Sequence, residues 1–573
     1  MTTRSASAGS SRYLDVLSAP GLWLGALTVF GAVVRWFVAR DEGLWRDEGL
    51  FLAIVRLPRW QDTLEFLQFH ESHPPLFYAI VRLWRQLAGD TDQAALLLVL
   101  IIGSLIVPAT YFAASRLYSR RVGAIAAVLA AISPILIDHA TMVRPYPLLQ
   151  ILLLASCLSL ALALETATIK WWIVFGVSIL AMLYTHNWAW LLAAGHAVAF
   201  AVFVLRKPRE RARQMFQGVV VAILIALAYA PWANSLLYQT AHAGYSPLAV
   251  DAWNYILISP LALQASILPP VGTSYQRLLA TFGELSYMFC AGLLWLVRRA
   301  LRLSQNSASP AVPAWEPVAR TGTRVLTATI ATSLLLALVL STRSNLVQPR
   351  CLSIFAPVGL VALVAAADHA WRTAGHGVVK IGLALGALAI LSVYGGGVVK
   401  LLTLHKSNAR ELANAIAARS HPSDLVILMP EWLASSFNLY FKPNNDQIDY
   451  PREGRQLAVD FADQLPRLRD SASLVRTIER VTKARAQGRR VWLVSERIGT
   501  ISRNLTKPID FMKPPDSIVV HIRLQQVRNA LTLLYGSPDT TLARGKSKDR
   551  YEHLIAALFT PAPMDSGAMR PPK

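Results

Sequence analysis

The sequence is short of cysteine, of acidic residues and of charge altogether. Three cysteines in 573 residues (Cys157, Cys290 and Cys351) all lie in apolar runs, with no CxxC or metal-ligand spacing. That excludes a disulfide framework and a cysteine-built zinc site. Only 16% of the residues are charged, against about 25% in a soluble globular domain. A cleavable leader is also missing. The apolar run 21–39 is too long for a signal-peptide core, and no small-residue cleavage site follows it, so it reads as a retained helix. No internal repeat is apparent.

What the chain has is hydrocarbon, in long segregated blocks. It is 54% hydrophobic with mean hydropathy +0.40, and short charged loops separate the apolar runs. This is the pattern of a polytopic membrane protein. Eleven spans are expected, at about 21–39, 94–113, 122–137, 148–165, 171–185, 188–205, 215–231, 280–297, 325–341, 351–367 and 379–396. The third and fifth are short, which suits a tilted or partly re-entrant segment.

Basic residues set the sidedness. With the N-terminus cytoplasmic, the inner loops hold Arg116, Arg120, Arg121, Lys170, the cluster at 206–213, five arginines at 298–324, Arg372 and Lys380, 16 basic residues in all. The outer loops after the second span hold four: Arg144, Arg277, Arg343 and Arg350. The formal charge of +22 is therefore largely a membrane-anchoring pattern and implies no nucleic acid. Eleven spans place the segment after about 405 outside.

The expected organisation is a transmembrane domain at 1–404 with a large first outer loop at 40–93, a soluble domain at 405–550 and a tail at 551–573. In the soluble part, 423–429 reads as a strand, WLASSFNLYF as helix, 474–487 as an amphipathic helix, and GRRVWLVSE and 517–527 as strands. Alternating strand and helix predicts a small α/β domain. It contains no glycine-rich phosphate loop and no nucleophile elbow.

The unusual ionisable residues gather in the outer loops. Asp47 and Glu48 follow Asp41, Glu42 and Trp45 just past the first span. An acidic pair can simply end a helix at the interface. A carboxylate held against a bilayer is also partly desolvated, which raises its pKa and suits a general base. The run Glu71-Ser72-His73-Pro74-Pro75-Leu76 follows. Two prolines break the chain before a helix, but that does not explain the whole run. Arg144 and Tyr146 lie in a short outer loop near Asp138 and His139, and Arg350 directly precedes the tenth span. A lone arginine there snorkels to the interface. Two arginines from distant helices make an anion site, because guanidinium pairs its donors on phosphate. A phosphate at the membrane surface with an apolar tail is a lipid-linked substrate. His186 in YTHNW is a further candidate.

An Asp-Glu pair after the first span, a following HPPL-Y motif, an R-P-Y loop and a late P-R before a span resemble one superfamily. It is that of the dolichyl-phosphate-mannose protein mannosyltransferases and aminoarabinose transferases, glycosyltransferase family 39 and its bacterial relatives. The resemblance covers about 30–365 and is strongest over 44–84. It implies a GT-C fold and a polyprenyl-phosphate sugar donor. It also implies an acceptor hydroxyl on a glycan, lipid or protein, and inversion at the transferred hexosyl or pentosyl centre. By the same resemblance Asp47 is the base and Glu48 shapes the site, while His73, Arg144, Tyr146 and Arg350 serve the donor phosphate. Glu71, His186 and Asp138 are additional candidates. Two features depart from the family pattern. Ser72 displaces Glu71 from the position directly before the basic residue, and the soluble segment lacks a β-trefoil pattern. No metal-ligand set is legible, so the cofactor is left unknown and a divalent ion stays open. The expected location is a bacterial inner membrane with the C-terminal domain in the periplasm.

Three rival functions fit a polytopic chain. A lipid-linked-glycan transporter or flippase would need paired broken helices and midplane charges; Arg35 and a few other charges lie near span ends, and no paired interrupted helices are seen. A glycan polymerase or ligase would use a diphosphate donor and normally lacks an Asp-Glu pair followed by HPPL. A non-enzymatic membrane scaffold would use its outer domain to bind a partner.

Overall fold

A computed structural model of the protein describes residues 20–71, 73–206, 209–242, 316–341, 349–373, 377–456, 466–496, 516–542 and 552–561. The chain divides into two compact units. One comprises Met1–Asp41 and Ser72–Thr403, the other Glu42–Glu71 and Leu404–Lys573. The expected 40–93 outer loop is thus divided between the units near residue 71.

The first unit is helical. It begins with α1 (Pro20–Ala39). The next helices, α2 (Arg46–Val55) and α3 (Trp60–Phe69), belong to the second unit. The first unit resumes with α4 (Leu76–Ala88), α5 (Asp92–Ser104), α6 (Ile106–Leu117), α7 (Arg120–Ile132) and α8 (Pro134–Ala140). Then come α9 (Tyr146–Thr166), α10 (Ile169–Leu183), α11 (Ala189–Leu205), α12 (Ala212–His242) and α13 (Glu316–Ser341). The short α14 (Pro349–Leu352) leads through a 3₁₀ turn into α15 (Ala356–Thr373), and α16 (Gly377–Thr403) closes the unit. Ten of the eleven expected spans fall on these helices, and the one at 280–297 lies outside the described residues. Among the described residues, six helices are long and apolar enough to cross a membrane, and the bent pair α7–α8 makes a seventh. Helices α10 and α11 are apolar but shorter.

The α7–α8 break has a clear chemical origin. Pro134 has no N–H to donate, so the helix ends before it and restarts at a 58° angle. The break strands the carbonyls of Ala130 and Ala131 inside hydrocarbon. The fully buried Arg35 of α1 reaches them, with Nη2 3.2 Å from Ala130 O and Nη1 3.2 Å from Ala131 O. A cation at a helix C-terminus also complements its dipole. The far end of α8 packs tightly on α5: a Cβ at Gly103 would lie 2.2 Å from the Cβ of Ala140. The next residues along the chain are those of the Arg144 loop.

The second unit is α/β, as the sequence implies. Its sheet has the order β3-β2-β1-β4-β6-β5. The strands are β1 (Leu425–Met429), β2 (Asp446–Asp449), β3 (Arg452–Glu453), β4 (Val491–Glu496), β5 (Thr540–Leu542) and β6 (Leu554–Phe559). β1, β2 and β4 run parallel, and β6 is antiparallel to β4. β1 and the first part of β4 are buried on both faces, so they read as continuous apolar runs, whereas the parallel edge-side strand β2 is polar (DQID). Leu425, Ile427 and Leu493 face one core, while Val426, Leu428 and Trp492 face the other. Four helices complete the unit: α17 (Ala409–Ala417), α18 (Ala434–Tyr440), α19 (Ser471–Ala486) and α20 (Asp516–Tyr535).

Two readings of this unit change. The segment 517–527, expected as a strand, is part of α20. Its β-branched residues suggest a strand, but the buried positions Val520, Leu524, Val527 and Leu531 recur at helical spacing. The segment expected as a tail contains β6, whose apolar LIAALF pairs along the whole of β4.

Replacing Arg35 with leucine leaves two buried carbonyls unpaired, at a cost of about 1–3 kcal/mol each. Thermal unfolding of purified R35L in detergent is expected at a clearly lower temperature, with R35K intermediate. An unchanged midpoint would contradict the capping role.

Candidate active site

The first unit gathers five of the predicted residues. The HPPL run is tied down at the start of α4, where Leu76 N–H donates to Tyr184 O at 2.9 Å. This holds His73 beside the turn at 184–188. The His73 and His186 rings meet edge to face with centroids 4.9 Å apart. Arg144 Nη2 lies 3.1 Å from His73 Nε2. Guanidinium can only donate, so Nε2 of His73 accepts and its proton sits on Nδ1. Tyr146, the first residue of α9, packs at 5.8 Å from His186 and 5.1 Å from His139.

Arg350 arrives from a distant part of the sequence. Its α14 turn is fixed by Ser353, whose hydroxyl donates to Arg350 O and whose carbonyl accepts from Gln150 Nε2 of α9 at 2.9 Å. The electrostatic result is felt at His186, which lies in the α10–α11 turn. Burial pushes its pKa well below the usual histidine value, and the guanidiniums of Arg144 and Arg350 push it further the same way. His186 is therefore neutral at physiological pH. Its Nδ1 accepts from Trp188 N–H at 3.1 Å, so its proton is on Nε2. Two guanidiniums and two neutral imidazoles at the ends of apolar helices can hold an oxyanion by charge and by directed donors. Asp138 is buried on α8, close in sequence to this group. Among the described residues no group of three or more His, Cys, Asp or Glu side chains could hold a metal ion.

Asp47, Glu48 and Glu71 belong to the second unit. Its first turn, α2, is anchored through Glu48. Both Glu48 oxygens accept from Lys406 Nζ, at 3.0 and 3.1 Å, and neither side chain is exposed. Oε2 also accepts from Trp45 N–H at 3.1 Å, closing the helix start. Lys406 N–H donates to Glu42 Oε2 at 2.6 Å, and Tyr440 OH accepts from Leu44 N–H at 2.9 Å. Gly49 is required where α2 meets α18, because a Cβ there would lie 2.1 Å from Ser435 O. Asp47, next to the anchored Glu48, accepts from Arg46 Nε at 3.2 Å. Arg46 lies over the rings of Trp45 and Trp432. Burial opposes its charge, but Asp47, Glu496 and Glu552 outweigh that and hold its pKa above the ordinary value.

Sequence reasoning missed the partners of this loop. Lys406 stands some 360 residues from Glu48 and carries no motif. Glu552, in the expected tail, accepts from Ser407 Oγ at 2.7 Å and Ser436 Oγ at 2.8 Å. Burial pushes its carboxyl up to about 7, against the opposing pull of both hydroxyls and Arg46.

Residues 72–232 match the family model described as dolichyl-phosphate-mannose-protein mannosyltransferase. The match spans His73, Arg144, Tyr146 and His186, and excludes Asp47 and Arg350. The fold resembles that of the apo oligosaccharyltransferase of Archaeoglobus fulgidus, at 14% identity over 83% of this chain and 69% of that one, with a TM-score of 0.50. Two looser likenesses are ArnT from Cupriavidus metallidurans bound to undecaprenyl phosphate (13% identity, 94% and 98% covered, TM-score 0.40) and the arabinofuranosyltransferase AftD from Mycobacteria (16%, 94% and 40%, 0.44). A comparison with the curated proteins returns no sequence match.

Two outcomes follow for the second unit. Lys406→Met strands a buried carboxylate and costs about 3–5 kcal/mol. Hydrogen exchange over 46–55 is expected to accelerate in the full-length variant, with partial recovery when Glu48→Gln is added. For Glu552 the folded pKa lies above the unfolded one, so the folded state holds the extra proton. Stability then falls as pH rises from about 4.5 towards 7, by roughly 1–3 kcal/mol. Glu552→Gln is expected to remove that slope in hydrogen exchange of β4 and β6 measured from pH 5 to 8.

Proposed function

We propose that the chain is a GT-C membrane glycosyltransferase, as the family-model match over 72–232 and the fold likeness support, and that it moves one hexosyl or pentosyl residue from a polyprenyl phosphate to an acceptor hydroxyl. The observation that carries this reading is the cluster of His73, Arg144, His186 and Arg350 at the ends of apolar helices. It supplies positive charge and directed donors where a lipid phosphate would lie, beside spans that suit its isoprenoid tail.

In this reading the acceptor oxygen attacks the anomeric carbon from the side opposite the phosphate. Asp47 takes the hydroxyl proton as the new C–O bond forms. The bond from the anomeric carbon to the phosphate oxygen breaks, and its electron pair leaves with the polyprenyl phosphate. The anomeric centre inverts. Arg144 and Arg350 bear on the oxygens where negative charge grows, the kind of contribution that usually dominates catalysis. His186, neutral and protonated on Nε2, offers a donor without adding charge. Tyr146 packs against His186 and fixes its ring. Glu48, whose carboxylate oxygens are engaged by Lys406 and Trp45, is assigned the placement of Asp47. The acceptor is a glycan, lipid or protein. In this reading the N-terminus is cytoplasmic and the acceptor side lies in the periplasm of a bacterial inner membrane, an orientation that the basic-residue asymmetry supports.

Transfer from a radiolabelled polyprenyl-phosphate sugar tests this directly. Asp47→Asn is expected to lower kcat by about 10²–10⁴-fold while insertion and folding are retained. Arg350→Ala is expected to lower kcat/KM for the donor about 10–100-fold, with the acceptor KM unchanged. Full activity of D47N would overturn the base assignment, and unaltered donor dependence in R350A would overturn the phosphate site. The same assay with and without EDTA decides whether a divalent ion takes part.

A further inference from the structure

A second lipid-facing feature lies at the other end of the same helices. Between α7, α15 and α16, with Trp23 of α1 alongside, lies a groove of about 820 Å³. That is within the roughly 300–1,000 Å³ typical of cavities that enclose a small apolar ligand. Its walls are hydrocarbon, including Val128, Leu363, Leu383 and Leu391. Two of its lining residues, Leu129 and Ile390, pack on the cluster around Leu136 and Tyr394.

Its mouth is different. Asp368 is held by Arg121 Nε at 3.4 Å and Arg372 Nε at 2.9 Å. Trp371 lines the same end, with Lys380 Nζ 6.0 Å from its ring centroid. One carboxylate is thus paired with Arg121 and Arg372, while Lys380 over Trp371 and the exposed Arg120 add further positive charge at this end. The rim keeps a net positive charge and an interfacial tryptophan.

Helix direction fixes which leaflet this is. Arg121 begins α7, whereas the Arg144 loop lies past its end and beyond α8. Asp368 is near the end of α15, whereas Arg350 lies just before its start. From Arg121 to Leu129 is a rise of about 12 Å, close to half of the roughly 30 Å hydrocarbon core. The groove therefore occupies one leaflet, the one away from the Arg144–Arg350 cluster. An apolar gap at that depth accepts hydrocarbon and not water. A cationic rim between spans selects an anionic headgroup.

We propose that this groove is a binding site for an anionic phospholipid of that leaflet, with its acyl chains between α7, α15 and α16 and its phosphate at Arg121, Arg372 and Lys380. The site is separate from the sugar donor and does not depend on the transfer chemistry.

Native mass spectrometry of the full-length protein, taken from a bilayer of phosphatidylglycerol and phosphatidylcholine in equal amounts with matched chains, reads this out. Wild type is expected to retain phosphatidylglycerol preferentially. Arg121→Gln and Lys380→Gln, at the rim, are each expected to reduce that preference about five-fold. Ala387→Phe, which fills the groove, is expected to reduce retention of both lipids. Equal retention of the two lipids by wild type would overturn the proposal. So would a preference untouched by the rim variants. Displacement of the phospholipid by added polyprenyl phosphate would assign the groove to the donor and overturn it as well.

Discussion

The bend at Ser133–Pro134 is the constraint on which the membrane unit's chemistry depends. A proline ends α7 inside hydrocarbon, where unpaired carbonyls are costly. Arg35 of α1 settles them, so a charged side chain that looks misplaced in the first span becomes the cap of another helix. The redirected α8 packs against Gly103 and leads to the Arg144 loop. From there the local geometry is dictated by donors and acceptors. Arg144 fixes the tautomer of His73, Trp188 fixes that of His186, and the 3₁₀ turn at Ser353 fixes Arg350. The outcome is a cluster of two permanent positive charges and two imidazole rings, which the proposed function reads as an anion site.

The second unit solves a different problem: how to hold a short acidic helix still. α2 is only 10 residues long, and an isolated helix of that length is marginal in water. It is stable here because Glu48 closes its first turn and meets Lys406, both fully buried. A buried pair of this kind contributes little net stability over an apolar pair, but it is unforgiving of misplacement. It therefore specifies position, and Asp47 inherits that position through the backbone.

Much of this was legible in the sequence, for identifiable reasons. Long apolar runs announce helices whatever their neighbours, so the expected spans fall on observed helices throughout the described residues. The parallel strands β1 and β4 were legible because burial on both faces leaves continuous apolar runs. Arg144, His73 and Arg350 stood out because cationic and aromatic groups at span ends are chemically conspicuous. The grouping of 42–71 with the C-terminal segment was not legible. It depends on Lys406, Tyr440 and Gly49, which are single residues without a periodic signature. α20 was misread because β-branched residues outweighed a burial period that only the packed structure displays. β6 was missed because its sequence neighbour β5 is only three residues long and carries no strand signal, and its full-length partner β4 lies some 60 residues earlier.

The central claim is that the cationic cluster of the membrane unit receives a lipid-linked phosphate. The most direct measurement is an experimental structure of the full-length protein with a bound polyprenyl phosphate. The account predicts phosphate oxygens within hydrogen-bonding distance of both Arg144 and Arg350, with the isoprenoid chain running along the adjacent apolar helices. A phosphate bound elsewhere, with Arg144 still donating to His73, would contradict it.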